Sequence, residues 1–125
     1  MAAFSVALMD HFESPRNAGK IESPTHLGRA SCKGRAPYID LFLVLEDGRI
    51  VDAKFLAFGC GVTIACCSAL TEAIIGKTDV ASLGLTADDL IGALGGLPPN
   101  KRFCARQTIS ALHDALSHEV PRQHE

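Results

Sequence analysis

Three cysteines of this 125-residue chain share one kind of setting. Cys60 lies between Gly59 and Gly61, just ahead of an apolar helical run; Cys104 lies ahead of a second helical pattern; Cys32 lies on a loop flanked by Gly28 and Gly34. A helix start presents unpaired N–H groups and a partial positive charge, which lowers a thiol's pKa and offers a thiolate as metal ligand or nucleophile. Cys32 and Cys60 are 28 residues apart and Cys60 and Cys104 are 44 apart, unlike any zinc-finger pair, so a shared site has to be assembled by the fold. Composition alone leaves a second reading open, in which these are small buried hydrophobes, because free cysteine is among the most buried residue types. Cys66 and Cys67, one to two turns inside the apolar helix, read as core packing.

The elements that must bring these residues together follow from periodicity and punctuation. Phe4, Leu8 and Phe12 recur every four residues between a capping Ser5 and a terminating Pro15, which predicts a short opening helix. From there to about Pro37 the sequence reads as irregular, placing Cys32 on a loop or a strand end. Tyr38–Leu45 and Ile50–Phe58, separated by Glu46-Asp47-Gly48-Arg49, predict a β-hairpin. Val62–Ile75 is apolar on most sides and ends at Gly76, which predicts a buried helix with a left-handed cap. Thr86-Ala87-Asp88-Asp89 reads as a capping box opening a short helix, and Gly95-Gly96-Leu97-Pro98-Pro99 as its end, followed by an extended segment. Ile109, Leu112 and Leu116 then stripe a last helix that begins close to Cys104 and runs towards residue 118, with a frayed tail over Pro121–Glu125.

The bulk numbers bound the function. One domain over 1–125 suits the length. A net charge of −2 with scattered Lys and Arg gives no support for nucleic-acid or membrane-surface binding. Met1–Met9 lacks a basic leader, no segment approaches a membrane span, and five cysteines, an odd count, argue against a disulfide framework, so a soluble cytoplasmic protein is expected.

The run Ala57-Phe58-Gly59-Cys60-Gly61-Val62-Thr63-Ile64-Ala65-Cys66-Cys67-Ser68-Ala69-Leu70-Thr71-Glu72 closely resembles the central motif of the IscU/NifU N-terminal family of iron–sulfur scaffolds. Phe4-Ser5, Asp10-His11-Phe12 and Pro15-Arg16-Asn17-Ala18-Gly19 resemble that family's N-terminus, and Leu97-Pro98-Pro99-Asn100-Lys101 with Cys104 resembles its proline segment and third cysteine. The resemblance implies an α+β fold, a small antiparallel sheet packed against helices on one side. It implies a non-catalytic scaffold that assembles a [2Fe–2S] cluster from iron and sulfide on Cys32, Cys60 and Cys104. It also implies sulfur supply by a cysteine desulfurase and delivery to acceptor apo-proteins, as a monomer or homodimer. The Leu97–Lys101 segment resembles the site engaged by an Hsp70-type chaperone; it also reads as a rigid linker.

Three positions depart from the family pattern. Lys33-Gly34-Arg35 follows Cys32 where Gly-Asp is usual, Phe103 precedes Cys104 where His is common, and Cys66 and Cys67 replace helix serines. Iron–sulfur clusters are held by four ligands. The expectation is therefore three thiolates with a fourth position open or filled from outside, the other candidates being Asp40, Cys66, Cys67, a second chain's cysteine or an exogenous thiol. Asp10, His11 and Lys101 are candidate assistants in proton or persulfide chemistry, although a solvated helix face or linker charge also accounts for them. His26, His113, His118 and His124 read as surface residues. Two other functions remain in view: a zinc-containing sulfur acceptor with Zn²⁺ on the three cysteines, and a metal-free interaction module.

Overall fold

The computed structural model describes the backbone of residues 4–32 and 35–121, and the side chains of these except residues 32–37. Three strands, β1 (His26–Cys32), β2 (Arg35–Glu46) and β3 (Arg49–Phe58), form an antiparallel sheet in the order β1-β2-β3. Ile39, Leu41 and Leu43 of β2 share one face with Ala30 of β1 and with Ile50, Ala53 and Phe55 of β3, and all seven are buried. The predicted hairpin is present, turning at Asp47 and Gly48, both at positive φ. Its register shifts after Val44, so that Val51 is left over between Ile50 and Asp52. That bulge puts Ile50 and Ala53 on the same buried face, which strict alternation forbids.

The segment read as irregular up to Pro37 is instead β1 and the start of β2. The reading failed at Gly28, which looks like a loop residue but is a point of close approach. A Cβ there would lie 2.3 Å from both Ala111 O and Ala115 N, in the backbone of the last helix. Glycine interrupts the strand pattern because a helix lies directly on it.

Five helices complete the described residues. Helix α1 (Val6–Glu13) is capped by Ser5, whose hydroxyl accepts the Leu8 N–H at 2.9 Å and donates to the Leu94 carbonyl. Of its expected apolar stripe only Leu8 is buried; Phe4 and Phe12 are about half exposed. Helix α2 (Gly61–Ile74) is the predicted buried helix, followed by Gly76 at positive φ. Helix α3 (Asp79–Leu83) was not foreseen, since its five residues leave Val80 and Leu83 exposed and carry no periodic signal. Helix α4 (Ala87–Ala93) has the expected capping box between Thr86 and Asp89. The segment expected to be extended is so only at Pro98; Pro99–Lys101 is a 3-10 turn, as suits proline at a helix's first position. It runs directly into α5 (Arg102–Ser117). The tail beyond Pro121 lies outside the described residues.

Polar contacts dock α1 and the turn after it on α2. The buried Ser68 hydroxyl lies 2.7 Å from His11 Nδ1 and accepts the Arg16 N–H at 2.8 Å, while Arg16 pairs with Asp10 at 2.6 Å and Asn17 donates to Thr71 at 3.1 Å. His11, read as a solvated face or as a chemical assistant, is here part of the fastening of α1, while Asp10 is exposed, as a solvated face would be, and pairs with Arg16.

Gly28→Ala is expected to destabilise the fold by about 1–3 kcal/mol or more, because backbone atoms cannot rotate away from the new methyl. Urea unfolding with its slope unchanged checks this; a shift of under about 0.5 kcal/mol would show that α5 can retreat from β1 at little cost.

Candidate metal centre

Cys60 is the N-cap of α2, in extended conformation, and its carbonyl accepts the N–H groups of Thr63 at 3.0 Å and Ile64 at 3.4 Å. The Phe12 ring packs on Gly61, next to it, where a Cβ would meet the ring at 2.3 Å unless Phe12 turned aside. Cys104 is not ahead of its helix as the sequence suggested. Helix α5 begins at Arg102, so Cys104 is its third residue and fully buried. The earlier start follows from the 3-10 turn, which already points the chain into helical geometry.

These placements bring the two sulfurs to 3.9 Å. The Thr63 hydroxyl, with one proton to offer either sulfur, lies 3.4 Å from Cys104 Sγ and 3.8 Å from Cys60 Sγ. Thr63 is a residue that sequence reasoning missed, although its place three residues after a capping cysteine puts it on the first turn facing that cysteine. Two thiolates on one tetrahedral metal, each about 2.3 Å away, stand roughly 3.8 Å apart. The pair therefore has the bite of a metal chelate without rearrangement.

The two thiols are not equivalent. Burial pushes Cys60 up, but hydrogen bonds from the Thr63 N–H and hydroxyl, the Val62 N–H and the Cys104 thiol outweigh it, and Cys60 lies below the ordinary cysteine value. Burial pushes Cys104 up; the Thr63 hydroxyl opposes that, while the Cys60 charge and the hydrogen bond to Cys60 add to the rise, and Lys101 only partly offsets it. The first proton leaves Cys60, and Cys104 stays a thiol donating to it.

Cys66 and Cys67 are buried, as expected of core residues. Burial drives the Cys66 thiol strongly upward and holds Cys67 at about 12, so both are neutral packing groups. Asp40 is held by Arg29 at 3.0 Å, on the sheet face opposite the buried one. Cys32 ends β1, but its side chain, and with it the expectation that it approaches the other two, lies outside the described residues. Among the described residues no third metal-binding side chain joins Cys60 and Cys104. His113 and His118 are exposed, as read, whereas His26 is half-buried beside Thr25 Oγ1 at 2.9 Å; His124 lies outside the described residues.

In a Cys32→Ser background, iodoacetamide at neutral pH is expected to alkylate Cys60 well before Cys104, Cys66 or Cys67, as peptide mapping would reveal. Because the Cys60 pKa is lowered, its rate should level off at lower pH than that of a free cysteine; equal labelling of Cys60 and Cys104 would contradict the asymmetry.

Comparison with known proteins adds findings of three kinds. The family model for the NifU-like N terminal domain matches residues 3–124. The iron–sulfur cluster assembly scaffold protein IscU 1 of Archaeoglobus fulgidus is 38% identical over 113 residues, 90% of this chain and 74% of that protein. IscU of Aquifex aeolicus is 36% identical over 123 residues, 96% of this chain and 78% of its own, and the nitrogen fixation protein NifU of Cereibacter sphaeroides is 40% identical over 109 residues, 44% of its length. A solved structure from Fervidobacterium islandicum AW-1, a candidate cluster assembly scaffold for the SUF system, superposes with a TM-score of 0.77 over 90% of this chain and 96% of its own, and at 22% identity it speaks for the fold alone. The expected α+β architecture and the expected resemblance are both borne out: the chain belongs to the NifU-like N-terminal domain family.

Proposed function

We propose that the chain is a scaffold on which an iron–sulfur cluster is assembled and passed on, and that it does not itself turn over a substrate. The observation that carries this reading is the 3.9 Å separation of Cys60 and Cys104 at the starts of two helices, which matches the bite of a tetrahedral metal. The names of the Archaeoglobus, Aquifex and Plasmodium falciparum relatives support it. In this reading the cargo is a [2Fe–2S] cluster and Cys32, Cys60 and Cys104 hold it, within one domain spanning 1–125 that works in the cytoplasm. Among the described residues no helix is long and apolar enough to cross a membrane.

The chemistry assigned to each residue follows from its proton. Cys60, the more acidic thiol, takes the first step. With a cysteine desulfurase as donor, the Cys60 thiolate attacks the outer sulfur of the donor's persulfide. A sulfur–sulfur bond forms to Cys60, the donor's bond breaks, and the donor's cysteine leaves as a thiolate. Two electrons from an external reductant then cleave that sulfur–sulfur bond, leaving sulfide and the Cys60 thiolate; iron binding lowers the pKa of Cys104, whose proton passes to solvent as its sulfur becomes the second ligand. Lys101, half-buried at the start of α5, favours that thiolate. Pro99 and Asn100 are exposed beside this helix start, a position suited to an Hsp70-type chaperone acting on the site during transfer to acceptor apo-proteins.

Anaerobic reconstitution with iron, cysteine and a desulfurase is expected to give visible charge-transfer absorption with equal iron and sulfide. Cys60→Ser and Cys104→Ser should each lose that absorption while retaining the far-UV spectrum, and the Cys66→Ser/Cys67→Ser double variant should keep it. Faster cluster loss to a chelator in a folded double variant would make a helix cysteine a ligand. Stoichiometric zinc that iron and sulfide cannot displace would instead favour the zinc-type sulfur acceptor.

A further inference from the structure

Among the described residues, three threonines are fully buried in helices, and their hydroxyls are used in two ways. Thr71 and Thr108 each donate to a carbonyl about one turn back, Ser68 O at 2.9 Å and Cys104 O at 2.8 Å. Thr63, in the first turn of α2, makes no such bond. Among the described residues its hydroxyl has no nitrogen or oxygen partner, and only the sulfurs of Cys60 and Cys104 lie beside it. A hydroxyl carries one proton and two lone pairs. The proton serves one sulfur at a time, and the lone pairs have no donor once both sulfurs have become thiolates.

Cys60 Sγ, Cys104 Sγ and Thr63 Oγ1 form a triangle with sides of 3.9, 3.8 and 3.4 Å. A tetrahedral ion with metal–sulfur bonds of about 2.3 Å and a metal–oxygen bond of about 2.1 Å holds its sulfurs roughly 3.8 Å apart and its oxygen roughly 3.6 Å from each. A single hydroxyl proton accounts for one of the oxygen's two distances; a shared metal accounts for all three sides. The triangle is also held in place. Cys60 is the N-cap of α2, Thr63 its third residue and Cys104 the third residue of α5, and the branched Cβ of threonine restricts its rotation.

We propose that the Thr63 hydroxyl is the third protein ligand of the first metal ion taken up at Cys60 and Cys104, coordinating through a lone pair on the same tetrahedral face. The proposal rests on the scaffold reading and deepens it. Both cysteines bind as thiolates, their protons passing to solvent, and Thr63 keeps its own proton. Two thiolates and a neutral hydroxyl balance a divalent ion, which suits a largely buried site. The corner that no described histidine, cysteine or carboxylate fills is thereby supplied from within the chain. The hydroxyl is the weakest donor of the three, so it is the one that incoming sulfide displaces. The metal–oxygen bond breaks, a metal–sulfur bond forms, the hydroxyl leaves with its proton, and no electron moves.

In a Cys32→Ala background, anaerobic titration of the full chain with Co²⁺ alone reads the ligand set, through sulfur-to-cobalt charge-transfer absorption and X-ray absorption fine structure. Competition with a chelator for Zn²⁺ reads the affinity. The parent should hold tetrahedral cobalt on two sulfurs. Thr63→Val, similar in shape but without lone pairs, should weaken zinc binding by about tenfold or more, and Thr63→Ser should stay within about threefold of the parent. Thr63→Cys places a third sulfur at the same corner, so the sulfur count should rise from two to three and zinc should bind more tightly than in the parent. That variant is read by a gain, which a damaged fold cannot give. Cobalt still on two sulfurs in Thr63→Cys, as a purely hydrogen-bonding role requires, or zinc held by Thr63→Val as tightly as by the parent, overturns the proposal while leaving the scaffold reading intact. A folded parent that takes cobalt on no sulfur overturns the scaffold reading and the proposal together.

Discussion

The candidate site depends on one contact, the meeting of the first turns of α2 and α5 at Cys60, Thr63 and Cys104. Nothing in the local sequence holds two helix starts together, and the Thr63 hydroxyl is the only group that touches both sulfurs within the described contacts. The larger fold supplies the constraint. Helix α5 is fixed against β1 where Ala111 and Ala115 lie on Gly28, and the start of α2 follows the end of β3, with the Phe12 ring packed on Gly61.

That geometry also sets the electrostatics. Two thiolates at such a distance repel strongly in a partly dry site, so without a cation only one forms. The helix start selects Cys60, because its sulfur faces the N–H groups of Val62 and Thr63 in the first turn, while Cys104, already inside its helix, has no such backbone donors. Cys66 and Cys67 lie deeper along α2, where burial disfavours a charge, and they remain thiols. A gradient of acidity therefore runs from the edge of the site inward, and metal binding is the event that removes the second proton.

The sequence made the hairpin, the long buried helix, the capping box and the two helix-start cysteines legible, because each rests on a local rule. What it hid was non-local. Gly28 reads as a loop residue until α5 is known to lie on it, and β1 was lost with it. Pro99 reads as a helix breaker until the chain behind it is seen to be a helix start, and that error displaced Cys104 from inside α5 to ahead of it. His11 reads as a surface residue because its partner Ser68 is distant in sequence. Thr63 was legible in principle but drew no notice beside three cysteines.

The three candidate ligands differ in how firmly the backbone holds them. Cys60 and Cys104 are anchored in helices tied into the core, so their spacing resists change. Cys32 stands where the β1–β2 ladder loses register: Ser31 pairs with Tyr38 and Cys32 with Arg35, which leaves Ala36 and Pro37 without partners on β1. On the scaffold reading this division has a use. A cage of four rigid ligands would hold a cluster too tightly to surrender it, and four loose ones would bind too weakly to build it. A fixed two-sulfur chelate supplies preorganised binding, and a ligand on an irregular strand end can be withdrawn at far lower cost than unpacking a helix. Assembly and release then use different ligands, and the fold need not open to let its cargo go.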